Sequence, residues 1–255
     1  NVIGLMTGTS VDGIDLSLVK TNGIDLKRLK KNYYYKYNDR TKNILLDALN
    51  CNDKIHLKEN KFLNELITNE HYNALLKSGF IENADLIGFH GQTIYHDPTN
   101  KTSLQLGDAK KLAEKLNKKV VFDFRSKDIE IGGEGAPLAP IYHKFIIENF
   151  QLELPSCILN IGGVANITFW DGDNLIGFDT GPGNALMDTY AKSIFNKDYD
   201  EDGKIASQGV PNKNLVKTFL NHVFFKTLPP KSLDRNSFIN LYYELLGSNL
   251  SKEDK

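Results

Sequence analysis

Long apolar runs are missing from this 255-residue chain, and none approaches the roughly 18 uninterrupted apolar residues that a membrane-spanning helix needs. Cysteine is scarce. The two present, Cys51 and Cys157, are too few and too isolated for a disulfide framework, and Cys157, in an apolar stretch, is expected to fill a core strand. Charge of either sign is not in excess: Lys and Arg total 31 against 32 Asp and Glu, a net charge of −1. Composition therefore gives no reason to expect nucleic acid or an acidic membrane as partner. The basic stretch Lys27 to Lys36, with three tyrosines, is explained by strand alternation on a solvated edge. No leader pattern opens the chain, so a cytoplasmic protein is the default expectation. Repeats and low-complexity tracts are also lacking, and the single tryptophan, Trp170, signals only packing.

What is present is an α/β pattern. With 40% hydrophobic residues the chain can bury a sizeable core in one large or two small domains. Branched and aromatic runs predict strands at 1–6, 14–21 and 30–37, an antiparallel start, then helices near 41–50 and 58–78. Strands at 84–89, 119–123, 157–170 and 175–178 follow, alternating with helices at 107–117, 138–150 and 184–195. Residues 196–209 read as a loop, 211–226 as a helix with Pro211 in its first turn, 237–249 as a helix and 251–255 as a solvated tail.

Between the first two strands lies Gly8-Thr9-Ser10-Val11-Asp12-Gly13-Ile14-Asp15. Glycines allow close backbone approach, and successive amides with hydroxyls beside them make a nest for a phosphate. Gly8 and Gly13 have P-loop spacing, but Ile14 and Asp15 stand where Lys and Ser/Thr belong and a strand follows, which excludes a P-loop. Ser10 lacks the flanks of a nucleophile elbow. An ordinary tight hairpin is the competing reading.

Three later segments repeat the design of a buried strand running into a glycine-rich turn: Ala84 to Pro98, Ser156 to Trp170 and Leu175 to Asn184. Polar groups at strand ends are where open α/β sheets place ligands. Asp179 follows the apolar strand Leu175 to Phe178 and precedes a helix, a place suited to a general base, with helix capping as the alternative. Arg125 follows the strand at 120–122, where it could bind a carboxylate or form a surface salt bridge with Asp123 or Asp128. Gln92 and Thr93 could hydrogen-bond a polar ligand or stabilise a turn. His90 and His96 lack the spacing and the third ligand of a metal site.

Gly8-Thr9-Ser10-Val11-Asp12-Gly13, His90-Gly91-Gln92-Thr93, Gly132-Gly133-Glu134-Gly135-Ala136-Pro137-Leu138, Asn160-Ile161-Gly162-Gly163 and Phe178-Asp179-Thr180-Gly181-Pro182 resemble, in order and spacing, the anhydro-N-acetylmuramic acid kinase family. Asp200 to Ala206 and Pro229-Pro230-Lys231-Ser232 extend the resemblance across essentially the whole chain. It implies an α/β fold of the actin-like ATPase (ribonuclease H-like) kind, with mixed sheets and two lobes, 1–150 and 151–255, flanking a cleft. It further implies ATP with Mg2+ as cofactors, metal ligands unassigned, an amino sugar as the small-molecule substrate, and is compatible with a homodimer. Gly8, Thr9, Ser10, Val11, Asp12, Gly13, Ile14 and Asp15, together with Asn160, Gly162 and Gly163, would face the nucleotide phosphates. Gln92, Thr93, Arg125 and Gly181 would bind the sugar, and Asp179 would be the catalytic base.

The family implies ring opening of a 1,6-anhydro sugar with phosphorylation of O6, giving N-acetylmuramic acid 6-phosphate in peptidoglycan recycling. Two departures stand out. Glu134 occupies a usual Gln position, and no glycine-rich adenosine segment follows Arg235, so the second lobe is expected to be shortened. The alternative this leaves is a pseudokinase or sugar-binding module without ATP turnover.

Overall fold

The computed structural model describes the chain except Thr9, Asn52, Pro98, Thr99, residues 234–237 and Lys255, and the side chains of Lys30 and Leu241. The chain divides into two compact units, Asn1–Gly135 and Ala136–Lys255. The division falls ahead of the expected boundary at 150, because the helix at Pro140–Asn149 packs on strands of the second unit.

The first unit opens with three antiparallel strands, β1 (Val2–Met6), β2 (Gly13–Thr21) and β3 (Leu26–Lys36). β4 (Leu86–Phe89) and β7 (Lys119–Phe122) join parallel to β1, giving the order β3-β2-β1-β4-β7. Strand alternation points Ile3, Leu5, Ile14, Leu16, Leu18, Ile87 and Phe89 to one face. There they meet Leu45, Ile67, Leu75 and Leu112 from α1 (Asp39–Asn50), α2 (Lys61–Ser78) and α3 (Ala109–Leu116), forming one core. Each helix starts where the sequence supplies a cap: Asn38, Asn60 and Asp108 accept the amides of Thr41, Leu63 and Lys111 at 2.9, 3.0 and 2.9 Å. α2 ends on Gly79 at φ +66°.

The stretch after β4, expected as a glycine-rich turn, continues into a hairpin, β5 (Gln92–Asp97) with β6 (Thr102–Leu106). A short helix, α4 (Ser126–Glu130), follows β7.

The second unit begins with α5 (Pro140–Asn149) and the antiparallel meander β8 (Ser156–Ile161), β9 (Val164–Trp170) and β10 (Leu175–Pro182). α5 covers one face of the meander: His143 Nδ1 lies 2.7 Å from Thr168 Oγ1, and the Lys144 ammonium sits 4.0 Å over the Trp170 ring. α6 (Asn184–Phe195) follows as expected.

Four expectations in this unit are corrected. The predicted helix at 211–226 is two, α7 (Lys213–Leu220) and α8 (Val223–Lys226), because Asn212 caps the first and leaves Pro211 outside it, while His222 caps the second. The helix expected at 237–249 is the shorter α9 (Ile239–Gly247), residue 237 of the expected range lying outside the described ones. The tail is not simply solvated, since Asp254 accepts the Val210 amide and the Lys252 carbonyl accepts the Tyr190 hydroxyl. Cys157 is exposed, because it points away from the face that α5 covers. No helix among the described residues is long and apolar enough to cross a membrane.

Candidate functional site

In the first unit, three motifs separated in sequence converge. The segment joining β1 to β2 is anchored from within by Val11, buried with φ +54°, and by Ile14. Those two side chains belong to the core, so only their backbone is available to a ligand. Ser10 and Asp12 are exposed, and the Ser10 hydroxyl donates to Asp12 at 2.7 Å. Thr9 lies outside the described residues. A Cβ at Gly13 would overlap the Tyr35 carbonyl and the Tyr34 ring, so glycine is what lets β2 approach β3 there. Asp15, on β2, has its carboxyl raised above the usual range by partial burial and by the charge of Asp12. Burial with the same two carboxylates pushes the Tyr34 hydroxyl up to about 12.

The His90-Gly91-Gln92-Thr93 segment props this loop from behind. The Gln92 amide donates to the Gly8 carbonyl at 3.0 Å, and the Thr7 hydroxyl donates to the Gly91 carbonyl at 2.6 Å. Gln92 is fully buried, and its Oε1 has no hydrogen-bond partner among the described residues. Its side chain thus serves the turn as a strut, while Thr93 is partly exposed and accepts from Gln105 at 3.3 Å.

Arg125 joins the same cluster. Its Nη1 donates to the Gly135 carbonyl at 2.6 Å and its Nη2 to His90 Nε2 at 2.8 Å. The two carboxylates considered as surface partners are engaged elsewhere: Asp123 accepts from Ser126, and Asp128 accepts the Gly135 amide at 2.7 Å. The glycine-rich loop holding Glu134 wraps Asp128 closely, and a Cβ at Gly133 would overlap that carboxylate. Burial and the neighbouring Arg125 push His90 down to about 4, so its imidazole is neutral. His96 pairs with Ser103 at 3.0 Å, and no cluster of metal-ligating side chains occurs among the described residues.

In the second unit the Gly162-Gly163 turn docks against the start of α6. The Gly162 carbonyl accepts the Asn184 amide at 2.7 Å, and the Gly163 carbonyl accepts the amides of Gly183 and Ala185 at 3.0 and 3.3 Å. The Gly162 amide turns back onto Val164 at 3.3 Å. Much of this turn's hydrogen bonding is therefore spent holding the helix.

Asp179 is not at a strand end. β10 runs on to Pro182 through a bulge between Asp179 and Gly181, which places the carboxylate inside the sheet at 7% exposure. It caps no helix, because Gly183 precedes α6 without a side-chain cap. The Lys231-Ser232-Leu233 segment clamps it instead: the Asp179 amide donates to the Lys231 carbonyl at 3.0 Å and its Oδ2 accepts the Leu233 amide at 2.8 Å. Gly181, two residues on, lets Phe225 approach, with a Cβ there falling 3.1 Å from the ring.

Sequence reasoning missed the clamp and one neighbour. Asn160 pairs with Asn166, and Asn166 with Asp179, so the three polar side chains stand in one row across the sheet. Asn166 Oδ1 is buried with no partner among the described residues. A tight turn at Gly162-Gly163 with an asparagine three residues to either side of Gly163 was the available signal.

Residues 1–254 match the family described as anhydro-N-acetylmuramic acid kinase. The chain is 38% identical over 250 residues to the anhydro-N-acetylmuramic acid kinase of Nitrobacter winogradskyi, covering 94% of this chain and 68% of that protein. It is 41% identical over 252 residues to that of Zymomonas mobilis, covering 92% and 68%, and 39% identical over 255 residues to that of Paramagnetospirillum magneticum, covering 99% and 70%. On the family match and these identities, the chain belongs to the anhydro-N-acetylmuramic acid kinase family.

Proposed function

We propose that the protein uses ATP to open the 1,6-anhydro ring of anhydro-N-acetylmuramic acid and phosphorylate O6, yielding N-acetylmuramic acid 6-phosphate for peptidoglycan recycling. The observation that carries this reading is Asp179, a buried carboxylate fixed by a strand bulge and by the Leu233 amide. In the substrate O6 is tied up in an internal ether and is no free nucleophile. Water attacks C1, Asp179 accepts its proton, the C1–O6 bond breaks, and O6 takes the γ-phosphoryl group as ADP leaves. Positive charge developing at C1 acidifies the water, so a carboxylate suffices as base.

The other residues take the parts that fit their positions. The backbone of Gly8 to Asp15, and Asn160, Gly162 and Gly163, would receive the phosphates. Arg125, Gln92 and Thr93 of the first unit and Gly181 of the second would serve the sugar, the guanidinium matching the lactyl carboxylate. Asp12 and Asp15, the carboxylates of this segment, would suit the Mg2+ that accompanies ATP, since a cation offsets both the burial and the Asp12 charge that raise the Asp15 carboxyl. When bound, that ion neutralises phosphate charge. Each unit contains a three-stranded antiparallel meander whose first turn is glycine-rich, which favours the two-lobed actin-like architecture.

Asp179→Asn tests the reading, because it removes the base and keeps the shape. Turnover is expected to fall at least about a hundredfold while calorimetric sugar binding stays within a few-fold of the parent. Residual activity within about tenfold of the parent would remove Asp179 from the mechanism.

A further inference from the structure

We propose that His90 is a positioning residue, which holds the Arg125 guanidinium in the orientation that receives the substrate carboxylate and so sets selectivity for acidic over neutral anhydro sugars. The inference rests on the proposed role of Arg125. It starts from a carbonyl. Gly91 O accepts the Thr7 hydroxyl at 2.6 Å and approaches His90 Nδ1 at 2.7 Å, so both of its lone pairs are used. A carbonyl can only accept, so Nδ1 carries the imidazole proton. In the neutral ring Nε2 is then an acceptor, and Arg125 Nη2 donates to it at 2.8 Å.

The opposite tautomer would lose the bond to Gly91, and an imidazolium would aim an N–H at a guanidinium. Burial, at 7% exposure, together with Arg125 itself, keeps the ring neutral through the working pH range. Gly91 holds the carbonyl in place: its φ is +72°, and a Cβ there would meet the Leu106 carbonyl at 2.5 Å. The second arm of the guanidinium is fixed by Gly135 O at 2.6 Å. Two bonds to separate parts of the unit define the plane of an otherwise flexible side chain, which is what two-pronged carboxylate recognition requires. Because Thr7 opens the hairpin at Gly8 to Asp15, the same carbonyl ties the arginine's support to the proposed phosphate loop.

The test compares two variants of the full-length protein by calorimetry against anhydro-N-acetylmuramic acid and anhydro-N-acetylglucosamine, which lacks the lactyl acid. His90→Asn can keep a donor to Gly91 but offers Arg125 no acceptor, and should weaken the acidic sugar about tenfold while moving the neutral one less than about threefold. His90→Gln can place an oxygen where Nε2 stood and should restore most of that loss. Equal weakening of both sugars by His90→Asn, or no difference between Asn and Gln, would overturn the proposal. Arg125→Ala separates the layers: if it weakens both sugars alike the Arg125 reading itself fails, whereas selective loss there without selective loss in His90→Asn removes only His90. Should the variants not fold, nitrogen-15 NMR of the unaltered protein decides, since the proton must reside on Nδ1 of His90 and its presence on Nε2 at pH 7 would refute the proposal.

Discussion

At the scale of single residues, the two glycines of the first hairpin do different work. Gly13 is demanded by packing, because any Cβ would run into the Tyr35 carbonyl and the Tyr34 ring. Gly8 is not so confined: among the described residues a Cβ there would meet the Ser10 hydroxyl at 3.3 Å, which can rotate away, and the Ser10 amide nitrogen at an ordinary 3.9 Å. Gly13→Ala should therefore destabilise the unit by about 2 kcal/mol through overpacking. Gly8→Val should fold, and raise the Michaelis constant for ATP or lower turnover by obstructing the phosphates, with little change in sugar binding. Chemical denaturation and steady-state kinetics distinguish the two. Unaltered ATP kinetics in a folded Gly8→Val variant would reduce the hairpin to a turn.

At the scale of elements, α2 buries a histidine that the proposed chemistry does not use. His71 sits edge-on to Phe89 of β4 with ring centroids 4.7 Å apart, its Nδ1 2.8 Å from the Ile67 carbonyl. Its Nε2 has no partner among the described residues. Burial pushes it down to about 4, as burial and Arg125 do for His90. Between the unfolded value near 6.5 and the folded value, the unfolded chain binds more protons. Stability is therefore full above about pH 6.5 and is lost as pH falls toward 4, by on the order of 3 kcal/mol for each histidine. His71→Leu should flatten part of this slope and leave stability at pH 7 nearly unchanged, since the loss of the Nδ1 bond to the Ile67 carbonyl is offset by removal of a buried acceptor that no donor meets. Urea melts at pH 5 and pH 7 measure the slope; an unchanged slope in the variant would contradict the assignment.

For the whole molecule, the main core of the first unit draws on residues from Ile3 to Leu112, with Leu116 and Val120 packed against it. Nothing in that core comes from beyond Gly135. Residues 1–135 expressed alone are therefore expected to fold and to melt cooperatively, as a domain with its own core does. A broad, non-cooperative calorimetric transition would show that the second unit completes it. Such an isolated unit would keep the Arg125, His90 and Gln92 cluster and lack Asp179.

The order of elements was legible in the sequence because strand alternation, caps such as Asn38, Asn60 and Asp108, and glycine turns are local signals, each read within a few residues. So were the family resemblance and the identities of Arg125 and Asp179, which stand out as polar groups beside apolar strands. The sequence did not disclose what those groups touch. The bulge that carries β10 past Asp179, the clamp from Lys231 and Leu233, and the row with Asn160 and Asn166 depend on strand register and on a segment 54 residues away. The exposed place of Cys157 and the buried strut of Gln92 likewise follow from which sheet face is covered, a matter that alternation leaves open until a helix is laid on one side. Composition and periodicity determined that this chain folds as α/β, and its glycine-rich motifs carried the family resemblance. Only tertiary packing decided which tautomer His90 adopts and how Arg125 and Asp179 are held, because hydrogen bonds between distant segments exist only once the backbone has brought their donors and acceptors within 3 Å.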